Sequence, residues 1–272
     1  MNPAQVVRFD RPAPNVARLL IDRPSKRNAI DFDVREQMTQ HLRVLLMDKA
    51  VRAIVIGGTE HTFSAGGDVP SMIGLDEAGA RARMQHIHLL CNLVAHAPVP
   101  VVSAIEGIGA GGAVGLALLG DVIVVGEGTK ILFPFLGLGL APDWGQLLTL
   151  PRRVGISNAR RILSSGRALS GGEAIRIGLA DVIVGDAEVM NTALERAQEL
   201  AALPQDAFAR MKARLAHPSA TLGEELKREE DDQAVCLLGE EFGEGFAAFT
   251  EKRKPDFNAL PRKVGSTGVP GE

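Results

Sequence analysis

The sequence predicts an α/β fold with parallel strands, because short apolar runs of strand character alternate with segments of helical periodicity. Two of these runs, AIVI at 53–56 and VPVVSAI at 99–105, each precede a glycine-rich turn. The turns are FSAGGD at 63–68 and GIGAGGAVG at 107–115. Glycine lets a backbone approach a ligand closely and turn its N–H groups toward it. These turns are therefore the first candidates for a binding site.

The other elements follow in chain order. A hairpin is expected from 6–10 and 16–22, and a polar turn at 23–28. Ser170 and Glu173 have the spacing of a capping box at the start of a helix. Apolar spacing predicts further helices at 33–48, 76–96 and 111–119, and strands at 121–125 and 181–184. Beyond residue 186 the pattern is helical throughout, with helices at 186–203, 205–216 and 222–241 and a short one at 246–254.

This change of character divides the chain. We predict an α/β core over residues 1–195 and a helical region over residues 196–260. Residues 261–272 are expected to form a flexible tail.

Composition limits the possible functions. The 272 residues carry a formal net charge of −3, which gives no general attraction to nucleic acid or to an anionic membrane. We expect neither as a partner. The sequence shows no signal peptide and no stretch long enough to span a bilayer. Cys91 and Cys236 lack the spacing of metal ligands, so we expect a cytoplasmic protein without a metal site.

The two glycine turns together suggest a specific chemistry. The second turn opens a helix, whose free amides and positive dipole end favour an anion. Two such turns side by side can offer two backbone N–H donors to one oxygen, which is the composition of an oxyanion hole.

Several motifs in order give the chain a resemblance to a known family. They are RPSKRNA at 23–29, FSAGGD at 63–68, the segment 105–117, the segment 134–145, LSGGEA at 169–174 and the segment 245–257. On these motifs the chain resembles the enoyl-CoA hydratase/isomerase (crotonase) family over almost its whole length. The resemblance implies a spiral of strand-strand-helix repeats with a C-terminal helical region used in trimerisation. It further implies an acyl-CoA substrate, a homotrimer or dimer of trimers, and no cofactor apart from the coenzyme A of the thioester.

The resemblance also assigns site residues. It places the thioester oxygen against the N–H groups of Gly67 and Gly112. It assigns coenzyme A binding to residues on two loops and, from a neighbouring subunit, to two residues near the C-terminus. The two sets are Lys26, Arg27, Ala29, Ala65, Gly66 and Asp68, and then Phe249 and Lys252. Clusters of Lys and Arg at 23–27 and 252–254 independently suit the phosphates of such a ligand.

One departure from the family pattern decides the expected reaction. The positions that match the two water-activating glutamates of the family's hydratases are Gly115 and Phe135. Neither side chain can accept a proton, so syn-hydration of an enoyl-CoA is poorly supported.

Asp143 is the carboxylate that remains in the expected pocket. The run PDWG at 142–145 resembles the 1,2-epoxyphenylacetyl-CoA isomerase branch, where the matching aspartate is implied to be the acid/base. We therefore expect an isomerase in which Asp143 moves the proton. Asp143 and Gln146 also have the spacing of a capping box for a helix beginning at Trp144.

Two alternative functions stay open. One is an acyl-CoA hydrolase or dehalogenase-like enzyme with Asp143 as the nucleophile, and the other is a catalytically silent acyl-CoA-binding homologue. Of the two histidines on the predicted helix 76–96, His86 and His88, at most one can face the pocket, because they lie two positions apart.

Overall fold

Residues 4–263 are described by a computed structural model, which contains nine strands and ten α-helices. The strands are β1 (Val7–Ala13), β2 (Val16–Ile21), β3 (Ala53–Gly58), β4 (Val101–Ile105), β5 (Ile108–Ala110), β6 (Val122–Gly126), β7 (Lys130–Leu132), β8 (Leu169–Ser170) and β9 (Val182–Val184). The helices are α1 (Phe32–Met47), α2 (Glu77–Ala95), α3 (Gly112–Leu118), α4 (Gln146–Val154), α5 (Ile156–Ser165), α6 (Gly171–Arg176), α7 (Val189–Ala201), α8 (Gln205–Ala216), α9 (Leu222–Leu237) and α10 (Glu240–Glu251).

The strands form two sheets. The larger one has the order β1-β2-β3-β4-β6-β9, in which the β1–β2 hairpin is antiparallel and every later pair is parallel. The smaller sheet has the order β5-β7-β8. In chain order, β4 lies in the larger sheet, β5 lies in the smaller sheet, and α3 follows them. This strand-strand-helix order is the unit of the spiral that the family resemblance implies.

Helices cover both faces of the larger sheet. On one face, α1, α2 and α3 bury apolar side chains such as Met38, Leu90 and Leu116. On the other face, α7 packs small residues, among them Ala193 and Ala197, against β3, β4 and β6. Strands covered on both faces need apolar side chains in both directions, which explains the continuous apolar run of β3.

The boundaries of the predicted regions need two corrections. The division at 195/196 falls inside α7, whose buried face continues to Ala201, so the α/β core includes this whole helix. The expected flexible tail from 261 is also wrong at its start. Arg262 is buried and donates hydrogen bonds to the carbonyl oxygens of Leu46 and Asp48 at 2.7 and 2.8 Å. The remainder of that predicted tail, 264–272, lies outside the described residues.

The predicted elements agree with the structure except at the helix start expected at Trp144, described below, and near the C-terminus. The hairpin, the helix at 205–216 and the capping box of Ser170 are confirmed. The single helix predicted at 222–241 is wrong, because α9 ends at Leu237 and α10 begins at Glu240. Gly239 takes the extended N-cap conformation between them. α10 also replaces the short helix predicted at 246–254. Across residues 4–263, no helix combines the length and the apolar character needed to cross a bilayer.

Candidate active site

The two glycine turns lie against each other. Two isolated parallel bridges, Ile30 with Gly67 and Ser64 with Gly109, join the first turn to the segment before α1 and to β5. The Ser64 N–H donates to the Ile108 carbonyl oxygen at 3.0 Å, and the Ser64 carbonyl accepts from Ala110 N–H at 3.1 Å. The fold therefore brings together two turns that are separated by about forty residues of sequence.

Glycine is required where the turns touch. Gly66 has φ +94°, and a β-carbon there would lie 2.5 Å from the Ala110 carbonyl oxygen. Gly111 has φ +52° and is the N-cap of α3. The next residue in each turn is Gly67 or Gly112, and among residues 4–263 neither of these N–H groups has a hydrogen-bond acceptor. Both are available to an oxygen of a ligand, as the sequence predicts for an oxyanion hole.

The predicted coenzyme A loop is joined to the first turn. Ala65 N–H donates to the Arg27 carbonyl at 2.9 Å, and Ile30 N–H donates to the Gly66 carbonyl at 2.7 Å. Lys26 and Arg27 are exposed, so both can reach a phosphate. Arg23 differs, because it forms an ion pair with Asp31 at 3.0 Å. The structure thus brings Lys26–Ala29 together with Ala65–Asp68, while Arg23 is held within the protein.

Asn28 holds this loop and was not singled out from the sequence. Its side chain is fully buried, and its amide donates to the carbonyl oxygens of Thr59 and Thr62 at 3.0 and 2.6 Å. Its φ of +56° follows the φ of +47° at Arg27. Asparagine tolerates this left-handed conformation better than most residues, so its position in the RPSKRNA motif was an available signal.

Two other predicted ligand residues lie elsewhere. Phe249 lies on α10 and is 82% exposed, and Lys252 is the C-cap of that helix. Among residues 4–263, the Lys252 ammonium donates no hydrogen bond to the loop at 26–29, and the Phe249 ring has no donor. Asp68 occupies the N-cap position of a 3-10 helix at Val69–Met72 without a side-chain capping bond.

The backbone at Asp143 differs from the prediction. α4 begins at Gln146 with Gly145 as its N-cap, so the expected helix start at Trp144, with Asp143 as its cap, is wrong. The cause is a sharp turn in which Trp144 and Gly145 have φ of +54° and +72°. Gln146 does not complete a capping box either, because its side-chain amide donates to the Gly111 and Asp143 carbonyls at 3.2 and 3.0 Å.

This turn keeps the Asp143 carboxyl out of the helix cap. Its Oδ1 is buried and has no hydrogen-bond partner among the described residues. Burial raises the pKa of Asp143, and the charge of Arg83, the backbone N–H of Asp143 and the charges of Arg35 and His88 oppose that shift. A buried carboxyl whose pKa is moved toward neutrality is suited to proton transfer.

The two histidines of α2 have separate surroundings. His86 Nε2 lies 3.0 Å from Glu36 Oε2, and its ring stacks on Phe32 at 4.6 Å between centroids. His88 is exposed and acts electrostatically on Asp143.

Trp144 packs against Gly115, the position that the resemblance matches to a hydratase glutamate. A β-carbon at Gly115 would be 2.4 Å from Trp144 Cβ, and one at Gly112 would be 2.4 Å from the indole Nε1. Phe135, at the second glutamate position, is buried and apolar. Neither position supplies a carboxylate, and Trp144 Cβ together with the Gln146 side chain leaves no room for one at 115.

Comparison with known proteins identifies the family of this chain. The family model for enoyl-CoA hydratase/isomerase matches residues 12–260. The chain belongs to this family. It is similar to 1,2-epoxyphenylacetyl-CoA isomerase of Escherichia coli, with 29% identity over 89% of this chain and 94% of that protein. It is equally similar to crotonyl-CoA hydratase of Syntrophomonas wolfei, with 29% identity over the same shares of the two chains.

A solved structure gives the same fold. An enoyl-CoA hydratase from Bacillus anthracis superposes with a TM-score of 0.88 at 25% identity, covering 93% of this chain and 99% of that one. Because relatives at the same identity are named as hydratases and as isomerases, the reaction has to be argued from the site.

Proposed function

We propose that this enoyl-CoA hydratase/isomerase family member is an acyl-CoA isomerase in which Asp143 transfers the proton. The observation that carries the proposal is that Asp143 Oδ1 is buried and has no hydrogen-bond partner among the described residues. In addition, Gly115 and Phe135 stand at the two positions that match the hydratase glutamates. Hydration needs a group that activates water, whereas isomerisation needs one group that removes a proton and returns it elsewhere.

The proton and electron balance is simple. The Asp143 carboxylate takes a proton from a carbon that is acidified by the thioester, and the C–H electron pair forms an enolate. The negative charge develops on the thioester oxygen, against the N–H groups of Gly67 and Gly112. Asp143 then returns the proton to another carbon of the conjugated system, and the double bond moves. Because no electrons leave the substrate, this step requires no redox cofactor.

Each oxyanion donor matters because its charge interaction is stronger in the transition state than in the ground state. Loss of one such donor typically costs about 3–4 kcal/mol of transition-state stabilisation. Gly112 adds the positive end of α3 to its N–H.

We further propose that the active form is a homotrimer or dimer of trimers in the cytoplasm. Large apolar side chains remain exposed along α9 and α10 in the single chain, including Leu238, Phe246 and Phe249 at 90%, 61% and 82%. Contiguous exposed apolar surface of this kind marks interaction sites. In such an assembly Phe249 and Lys252 would complete a neighbour's coenzyme A site.

The test is the substitution Asp143→Asn. It removes the proton acceptor and leaves the shape of the side chain nearly unchanged. We expect turnover and the exchange of substrate protons with deuterated solvent to fall by at least about 100-fold, the usual minimum for a general base. Binding of the acyl-CoA should persist. The control Asp231→Asn, an exposed carboxylate on α9 without an ion pair among the described residues, should behave as wild type.

Each result decides between the proposed reactions. Near-wild-type turnover in Asp143→Asn would refute the proposal. A covalent acyl-enzyme on Asp143 in the unmodified protein would identify the nucleophilic mechanism instead. Binding without turnover across a broad set of thioesters would identify a silent homologue.

The same variant has a second, pH-dependent readout. The ordinary pKa of an aspartate is 3.8, and burial raises that of Asp143 in the folded state. The unfolded chain therefore loses this proton at a lower pH than the folded chain. The native state accordingly loses stability as pH rises from about 3.8 through the folded-state pKa. The loss is about 1.4 kcal/mol for every pH unit that separates the folded-state pKa from the unfolded-state pKa. Asp143→Asn should be more stable than wild type at neutral pH, and the difference should vanish toward pH 3.8.

A further inference from the structure

Two arginines near Gly67 and Asp143 have no carboxylate partner among the described residues. Arg35 on α1 is only 4% exposed, yet among residues 4–263 its one hydrogen bond is from Nε to His86 Nδ1 at 3.4 Å. Arg83 on α2 has a buried Nε without any acceptor. Neither forms an ion pair within the described part of the chain. Arg35 Cζ lies 6.0 Å from the centroid of the Phe32 ring, which supplies no oxygen acceptor. The N–H groups of a guanidinium in so buried a residue need hydrogen-bond acceptors.

A second buried arginine, Arg52, is satisfied by backbone carbonyl groups alone. Arg52 donates from three nitrogens to the carbonyl oxygens of Ala201, Leu203 and Leu260, at 2.9, 3.2 and 3.1 Å. Arg35 has no carbonyl acceptor of this kind. The Nε of Arg83 is buried without a hydrogen-bond partner, whereas the terminal nitrogens of Arg35 are not among such buried atoms. They are therefore free to bind a molecule that enters the pocket.

The two guanidinium groups lie beside the reacting centre. Arg35 contacts His86, which lies one turn after Arg83 on α2. An Arg83 terminal nitrogen lies 3.4 Å from the position of a β-carbon at Gly67, the predicted oxyanion donor. Both arginines act electrostatically on Asp143. Burial and the charge of Arg83 lower the pKa of Arg35 to about 10, so it remains positive at neutral pH.

The nearby carboxylates do not pair with these two arginines. Asp31 and Asp143 both act electrostatically on Arg35, but Asp31 forms its ion pair with Arg23, and among the described residues no carboxylate forms an ion pair with Arg35 or Arg83. A thioester is neutral, and its enolate oxygen is served by backbone N–H groups. The two guanidinium groups are therefore available to an anionic group of a ligand, and the planar fork of arginine matches a carboxylate in two parallel hydrogen bonds.

We propose that the acyl group of the substrate carries a carboxylate, and that Arg35 and Arg83 bind it. This inference rests on the proposed function only in that the thioester lies between Gly67 and Gly112. It holds whichever reaction follows. The substrate class is therefore a coenzyme A monothioester of a dicarboxylic acid, with the free carboxylate directed toward α1 and α2.

The test compares affinities of matched thioesters for the full-length protein by titration calorimetry. The probes are unsaturated monothioesters of four- to eight-carbon dicarboxylic acids and the corresponding ω-methyl esters. Wild type should bind one carboxylate form roughly 10- to 100-fold more tightly than its ester, which is the range for hydrogen bonds to a charged group. Arg83→Gln and Arg35→Gln should each lower this ratio toward one. Arg81→Gln, on the exposed face of the same helix and paired there with Glu77, should not.

Three results would overturn the inference. Equal affinity for acid and ester at every chain length would mean that the arginines serve only Asp143. A ratio that survives Arg83→Gln and Arg35→Gln would place the carboxylate elsewhere. Free glutarate that binds at these arginines at the same time as the acid thioester would identify a separate anion rather than the acyl group. Since only binding is measured, loss of turnover in Asp143→Asn leaves this test valid, and the variant should keep the acid preference.

Discussion

The substitution Gly115→Ala tests whether Trp144 occupies the position of the missing glutamate. The added β-carbon would lie 2.4 Å from Trp144 Cβ and 3.0 Å from Gln146 Nε2. Trp144 Cβ is fixed to a left-handed backbone, and the residue is only 2% exposed. The clash cannot be relieved by rotating a flexible side chain, so the turn at 143–145 must move.

The expected magnitude comes from comparison with a second glycine. Gly172 lies on α6, and a β-carbon there would meet no atom within 4 Å. Both substitutions gain helix propensity, at most about 1 kcal/mol. Because only Gly115→Ala adds overpacking, it should be about 1–3 kcal/mol less stable than Gly172→Ala. The measurement is urea unfolding with an unchanged slope, so that the midpoints report stability.

Activity should fall together with stability. Asp143 is bonded directly to Trp144, and a displacement of about 1 Å at a reacting group can cost 100-fold in rate. Trp144→Gly removes the clashing β-carbon, so it should destabilise the Gly115→Ala background less than it destabilises wild type. Equal stability of Gly115→Ala and Gly172→Ala, with turnover unchanged, would refute the assignment of Trp144 to this space.

Two further predictions concern the reaction and the assembly. Straight-chain 2-enoyl-CoA hydration should be very weak, because Gly115 and Phe135 cannot activate water, and robust hydration of crotonyl-CoA by pure protein would show that another group does so. Phe249→Ser and Lys252→Ala remove little or no packing in a single chain, so the fold of each chain should persist. Because both residues are proposed to complete a neighbour's site, we expect these substitutions to weaken oligomerisation, measured by sedimentation, and coenzyme A affinity, measured by calorimetry. Unchanged values for both would exclude the proposed contribution from a neighbouring subunit.

The glycine turns and Asp143 were predictable because their signals are local in sequence. A glycine at the end of an apolar run identifies a close backbone approach, and a carboxylate in an otherwise apolar segment stands out. The backbone at Trp144 was not predictable in the same way. A bulky residue with positive φ is rare, and only the surrounding contacts stabilise it.

The arginine pair escaped sequence analysis for a different reason. Arg35 follows Val34 at the edge of the apolar stripe of α1, where a charged residue is usually solvated. Its burial arises only when α2, about fifty residues later, packs across it. The sequence shows only that a charged residue, Arg35, follows an apolar position of α1. Many helices with solvated charged residues share this pattern, so it did not predict that Arg35 is buried.

In the proposed reaction, Asp143 acts as both acid and base, and the turn at 143–145 and the two arginines supply the conditions for that role. A left-handed residue costs on the order of 1–3 kcal/mol, and it persists here because Trp144 is buried against Gly112 and Gly115. The strain holds the Asp143 carboxyl out of the capping role that its sequence spacing suggests. Burial raises the pKa of that carboxyl, and Arg83, Arg35 and His88 limit the rise. A proton carrier needs both influences on its pKa. Burial alone would raise the pKa until the carboxyl stayed protonated, and the positive charges alone would lower the pKa until the carboxylate was a weak base.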